Sequence, residues 1–207
     1  MKLLLMVFVV SVSCYSAFAK KNRGEESVYE VDKQVSLVRW TGSNFVGKHT
    51  GFISIGNGIF VTNNNEVVDG HIDLDLNTIV CNNYKNDDWN KQLVDHLKSE
   101  DFFSVEQFPN AEFELTSIEK AEKEFAYTVS GQLTIKGTTN DISFPARINV
   151  SEDKMLILGK ATIDRTRWGI TFGSGKFYEN LAGELINDEM EVRFELIARE
   201  VKHLAAR

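Results

Sequence analysis

From residue 28 onward the chain alternates apolar and polar residues with a period of two, and nothing in the sequence constrains its fold more tightly. In EMEVRFELIAR, Met190, Val192, Phe194, Leu196 and Ala198 face one way, while Glu189, Glu191, Arg193 and Glu195 face the other. HIDLDLNTI sets Ile72, Leu74 and Leu76 against Asp73, Asp75 and Asn77. YTVSGQLTIKG sets Tyr127, Val129, Leu133 and Ile135 against Thr128, Ser130, Gln132 and Thr134, and ISFPARINV repeats the pattern with Ile142, Phe144, Ala146, Ile148 and Val150. A strand with one dry and one wet face belongs to an antiparallel sheet, because parallel strands buried on both faces read as unbroken apolar runs. Further strands are expected near 35–43, 49–55, 58–62, 111–118 and 155–164, separated by turn signals such as GNG, NNN and GTTND. The expectation is an all-β fold of about eight strands, as a sandwich or a closed barrel; the alternation alone does not choose. Eight strands close into a barrel whose interior is filled by side chains or holds one small ligand.

One segment breaks the period. In DDWNKQLVDHLKSEDFF, Asp87 or Asp88 can cap a helix, and Trp89, Leu93 and Leu97 form an apolar stripe at i, i+4 and i+8. So short a helix cannot cover a sheet, and its expected place is over one end of a barrel. Phe102 and Phe103 would turn inward beneath it, before Phe108-Pro109 leads into the next strand.

The N-terminus differs in kind. Lys2 precedes the apolar run LLLMVFVVSV, and Ala17 and Ala19 form an A-x-A pattern, the layout of a secretory signal too short to anchor a mature chain across a bilayer. Cleavage is expected after Ala19, with 20–28 as a flexible lead-in and 29–201 as the one folded domain. The alternative is a lipoprotein anchored through Cys14, although Ser11, Val12 and Ser13 match that pattern poorly. Both readings place the protein outside the cytoplasm, periplasmic or secreted. Loss of Cys14 leaves Cys81 alone, so no intrachain disulfide supports the fold. Loss of Lys2 takes the formal net charge from -7 to -8. An acidic chain without a lysine or arginine cluster argues against nucleic acid or a general anionic membrane surface as a partner.

HLKSEDFFSVEQFPNAEFELTSI, taken together with GQLTIKGTTNDISFP and ATIDRTRWGI, resembles the YceI-like family of secreted lipid-binding proteins over about Tyr29 to Glu200. The likeness rests on ordered motifs: His96-Leu97 before Asp101-Phe102-Phe103, Phe108-Pro109 before Ala111-Glu112-Phe113, the strand and turn from Gly131 to Gly137, and Asp164-Arg165-Thr166 before Gly169-Ile170. It implies a lipocalin-like extended antiparallel barrel of eight strands with the short helix near one end. A long central cavity would hold a polyisoprenoid chain such as that of a quinone or prenyl lipid, and the location would be periplasmic. The chain departs from the family near the first strand, where Gln34 stands in place of a histidine and His49 falls further along, which weakens transfer of head-group contacts.

Within that barrel the expected lining is Trp40, Ile72, Leu74, Phe113, Leu115, Val129, Leu133, Ile135, Phe144, Ile163, Val192, Phe194 and Leu196. Leu93, Leu97, Phe102, Phe103 and Trp168 are expected near the ends, and Arg165 is the candidate for a ligand's polar head. Asp164, Arg165 and Arg167 lie at a strand end, where an ion pair fixing that end is the competing role. His49, His71, His96 and His203 form no close pair, so no metal site is expected, and no cofactor other than a bound lipid. FGSGKF lacks the first glycine and the hydroxyl residue of a phosphate loop and is expected as a barrel-rim loop. No G-x-S-x-G elbow occurs, and the Ser, His and Asp spacing sets up no nucleophile and base. The expected function is non-enzymatic binding or carriage of a long apolar lipid; the rivals are a filled envelope barrel acting through its surface and a lipid-modifying enzyme. The sequence leaves oligomeric state open, a dimer included.

Overall fold

The structure, a computed structural model, describes residues 25–83, 85–121, 127–151 and 153–201. The expected signal peptide, Cys14 and His203 lie outside these residues. The elements in chain order are β1 (Glu26–Val31), β2 (Leu37–Ser43), β3 (Lys48–Asn63), β4 (Glu66–Cys81), α1 (Asp87–Lys98), β5 (Asn110–Lys120), β6 (Tyr127–Ile135), β7 (Thr138–Val150), β8 (Lys154–Asp164) and β9 (Glu189–Glu200).

All strand pairs are antiparallel, and the sheet closes on itself through β3–β4 on one side and through β9, which meets both β1 and β2, on the other. Among the described residues nine strands make an eight-stranded barrel, because β1 and β2 share one stave. Tyr29 of β1 faces Phe60 on β3 and Glu200 on β9, while Trp40 of β2 faces Gly51 and Val192 on the same two strands. The break between them, at 32–36, is built from side chains. Asp32 Oδ1 accepts from Gln34 N, and the Ser36 hydroxyl both donates to Ile197 O and accepts from Ile197 N, standing in for a lost backbone rung.

Tight turns set the register elsewhere. Asn64 and Asn65 both take positive φ between β3 and β4, as do Lys136 and Gly137 between β6 and β7, the backbone that a two-residue hairpin loop demands. Bulges correct the period where it would carry a residue to the wrong face. In β4, Asn77 N donates to Asp75 Oδ1 and Thr78 Oγ1 to Asp75 O, so Leu76 and Ile79 both point inward although three residues apart. In β5 a register shift between Leu115 and Ser117 does the same for Leu115 and Ile118.

Several expectations need correction. The stretches 49–55 and 58–62 are one strand, irregular at Gly56, rather than two. Residues 26–28, expected in the lead-in, belong to β1 and pair with β3. The helix cap is Asn86, whose side chain accepts from Asp88 N, instead of Asp87 or Asp88. Trp89 is 59% exposed: α1 buries Leu97 and packs Leu93 and Val94 partly against the core, because the helix lies over the barrel end and meets mainly β4.

Candidate functional site

The inward side chains fall into three buried clusters along the barrel. At the helix end Trp40, Leu76, Ile79, Phe102, Phe103 and Trp168 pack together. Val129, Phe144, Ala146 and Ala161 form a middle group, and Tyr29, Val31, Met155, Leu196 and Ala198 form the far end. A cavity of 370 Å³ runs among them, touching Trp40 and Phe103 of the first group, Phe144 and Ala161 of the second, and Phe60 and Leu196 of the third. That volume lies in the range of small-molecule sites.

Glycines keep the wall open at two strand pairings. Phe194 faces Gly159 and Phe60 faces Gly70; a Cβ at Gly159 would stand 2.2 Å from the Phe194 ring, and one at Gly70 2.5 Å from the Phe60 ring. Each ring therefore lies back against its neighbour's bare backbone, leaving the axis clear. Phe194 then meets Phe144 edge-on at 5.3 Å, and Phe144 meets Phe113 at 5.5 Å, an aromatic band around the middle of the wall.

The cavity wall brings together Trp40, Ile72, Leu74, Leu93, Leu97, Phe102, Phe103, Phe113, Leu115, Val129, Leu133, Ile135, Phe144, Ile163, Arg165, Val192, Phe194 and Leu196, all singled out from the sequence. Trp168 is the exception. It is 1% exposed, and its Nε1 donates to Leu133 O at 2.9 Å, so it packs behind the wall and fixes β6 from outside the cavity. Sequence reasoning did not select Ile53, Phe60, Val67, Ile79, Ala111, Ile118, Ile157 or Ala161, which also line it. Alternation around the bulges was the signal that would have found several of them.

Among the described residues the polar lining is confined to one end. Ser43, Asn44, His49, His96, Arg165 and Asn187 reach the cavity where the β2–β3 tip, α1 and the segment between β8 and β9 converge. Asn187 Nδ2 donates to Ser43 Oγ at 2.7 Å, and Asn44 bridges to Ile186, tying the two loops together. Partial burial pulls the His49 pKa below its ordinary value, favouring the neutral ring. His96 stacks edge-on with Phe102 at 4.9 Å and Phe172 at 4.7 Å, and its Nε2 lies 3.6 Å from Asp101. These residues sit on loops and element ends, where no periodicity announces them.

Arg165 is 1% exposed, and its guanidinium is largely committed to the fold. It donates to the carbonyls of Asn187, Ile170 and Ile186 and to Asp188 Oδ1. Burial lowers its pKa, with Asp188 and Asp164 opposing the shift. The Asp164 carboxylate caps the 3₁₀ turn Arg165–Trp168 through Thr166 N and accepts from Lys176 Nζ at 2.7 Å. Arg167 lies over the Trp168 ring and donates to Asp141 O. The FGSGKF stretch is a rim loop whose lysine also reaches Asp188, at 3.2 Å. The DRTRWGI cluster thus holds the strand end and shapes the mouth.

A closed antiparallel barrel around a one-ended apolar cavity defines the lipocalin-like class of binding barrels. The chain belongs to the family described as the YceI-like domain, which matches residues 29–198. Among solved structures it is similar to Burkholderia cenocepacia BcnA, with a TM-score of 0.61 and 19% identity over 81% of this chain and 98% of that one. It is also similar to a polyisoprenoid binding domain from Saccharophagus degradans implicated in plant cell wall breakdown, with a TM-score of 0.56 and 16% identity over 84% of this chain and 98% of that one. These likenesses establish the fold. A UPF0312 protein of Staphylococcus aureus strain bovine RF122 is 38% identical over 84 residues, covering 37% of this chain and 46% of the relative. The chain spans about half the length of such curated relatives.

Proposed function

We propose that this protein binds and carries a long apolar lipid, an isoprenoid quinone or similar polyisoprenoid, in the barrel cavity, outside the cytoplasm and without chemical conversion. The observation that carries this reading is the cavity itself: continuous through three apolar clusters, with polar groups at one end alone. Such a space matches a molecule with one polar head and a hydrocarbon tail. Burial of each methylene contributes about 0.8 kcal/mol, so one five-carbon isoprene unit gains roughly 4 kcal/mol before ordering costs are subtracted. The polyisoprenoid binding named for the Saccharophagus degradans domain supports the same ligand class.

The head should be weakly polar. Among the described residues the buried cation at the mouth is Arg165, and it spends four hydrogen bonds on the protein, leaving little to neutralise a pyrophosphate. A quinone is therefore expected to bind more tightly than a prenyl pyrophosphate of equal length, and equal or tighter binding of the pyrophosphate in a titration overturns that preference. The central test is mass spectrometry of an organic extract from protein purified out of its native host. A stoichiometric long-chain lipid is expected, and its absence from protein that also refuses added quinone would sink the carrier reading. Leu133→Glu, which places a carboxylate on the cavity wall, is expected to abolish loading while circular dichroism stays native.

A further inference from the structure

Among the described residues, every exposed aromatic side chain lies at the polar end of the barrel. Phe45 stands on the β2–β3 tip, Trp89 on α1, and Phe172, Phe177 and Tyr178 on the segment between β8 and β9. Phe45 and Val46 are 79% and 83% exposed, and Leu185 joins them. Exposure of this kind costs free energy in water and marks a surface that meets an apolar partner.

The arrangement is held in place by the fold. Asn44 Oδ1 accepts from both Val46 N and Gly47 N at 2.9 Å, fixing a tip that presents Phe45 and Val46 outward. Phe45 N donates to Leu185 O at 3.2 Å, which joins the tip to the segment carrying Phe177 and Tyr178. Just inside this collar lie Ser43, Asn44, His49 and Asn187, the polar mouth of the cavity. The far end of the barrel has no exposed aromatic among its described residues and turns instead on Asn64, Asn65, Glu66 and Asp153.

We propose that this collar docks the cavity mouth onto a lipid bilayer surface, with Phe45 and Val46 entering the headgroup level and the aromatic side chains of α1 and the β8–β9 segment beside them. Aromatic side chains favour that level. The collar is continuous with the mouth of an apolar cavity, so a tail can pass between bilayer and barrel without crossing water. This last point rests on the carrier reading; the docking itself rests on the collar. Attraction is apolar rather than electrostatic: the net charge is -7, and Lys176, beside Phe177, is already paired with Asp164 and Asp188.

Flotation with phosphatidylcholine vesicles tests it, at salt concentrations from about 0.1 to about 1 M. The secreted chain, cleaved after Ala19 so that its apolar leader contributes nothing, is expected to float with the vesicles at both extremes, and the double variant Phe45→Ser, Val46→Ser to lose roughly tenfold or more of that binding. The same variant should still take up a long-chain quinone delivered in detergent micelles, which shows that barrel and cavity survive. Phe177→Ser is a second, independent probe of the collar. No flotation of the unmodified chain, unchanged flotation of both variants, or loss of flotation at high salt overturns the proposal. So does a dimer in sedimentation that the double variant disperses, since the collar would then serve a second copy of the chain. Vesicle binding without quinone uptake by the unmodified chain would leave docking standing and remove the carrier reading.

Discussion

The two ends of this barrel use the same alternation to opposite purposes. At the far end Tyr29, Met155 and Ala198 are at most 1% exposed and leave no polar group on the cavity wall; the Tyr29 hydroxyl reaches Ser151 O outside it. At the helix end the wall admits histidine, asparagine and serine, and loops rather than strands complete it. The lesson is that closing a barrel abolishes sheet edges but not ends, and the chain seals one end with packed side chains while furnishing the other with a mouth.

Three perturbations sharpen that contrast. The largest effect is expected from Trp168→Ala, which removes a fully buried indole behind the mouth and leaves Leu133 O without its donor. A loss of about 3 to 5 kcal/mol in denaturant unfolding is expected, together with weakened ligand retention, because the wall at Leu133 loses its support. Met155→Ala, in the sealed end, should cost about 2 to 4 kcal/mol and leave ligand entry rates unchanged. Faster entry in that variant would mean that the far end is also a route.

The smallest effect is a pH dependence confined to the mouth. Burial pushes the Asp164 carboxyl up, but the hydrogen bonds from Lys176 and Thr166 together outweigh it and hold the pKa below the ordinary value; Asp164 and Asp188 in turn raise Lys176. A depressed carboxylate contributes stability fully above its unfolded pKa, about 4, and loses it as pH falls through the lower folded value. The raised lysine contributes below its unfolded pKa of about 10.4 and loses that at higher pH. Amide exchange in the segment 170–188 should therefore stay slow between these limits once intrinsic rates are corrected, and rise below pH 4 while the sealed end is unaffected. Lys176→Gln should flatten the acid response, and an unchanged response in that variant would show that another group governs it.

Most of the wall was legible in the sequence because a strand assigns its faces locally. Val192, Phe194 and Leu196 point inward for the same reason that Arg193 and Glu195 point out. Trp168 was misplaced because it follows a strand, in a 3₁₀ turn where period two no longer applies. Trp89 was misplaced because helical spacing tells which residues share a face and not how much of that face a neighbour covers. Arg165 reaches the cavity wall, yet its partners are carbonyls and an aspartate 23 residues away that no spacing rule connects.

By itself, the sequence determined an all-β chain with apolar inner faces, tight Asn and Gly turns and one short helix, since propensity, period and turn chemistry act over a few residues. Only the tertiary structure decided that nine strands share eight staves, with β1 and β2 end to end between β3 and β9. It alone decided, too, that the polar lining gathers at one mouth. Those outcomes depend on pairings such as Tyr29 with Glu200 and Ser43 with Asn187, whose partners lie more than a hundred residues apart and meet only when the barrel closes.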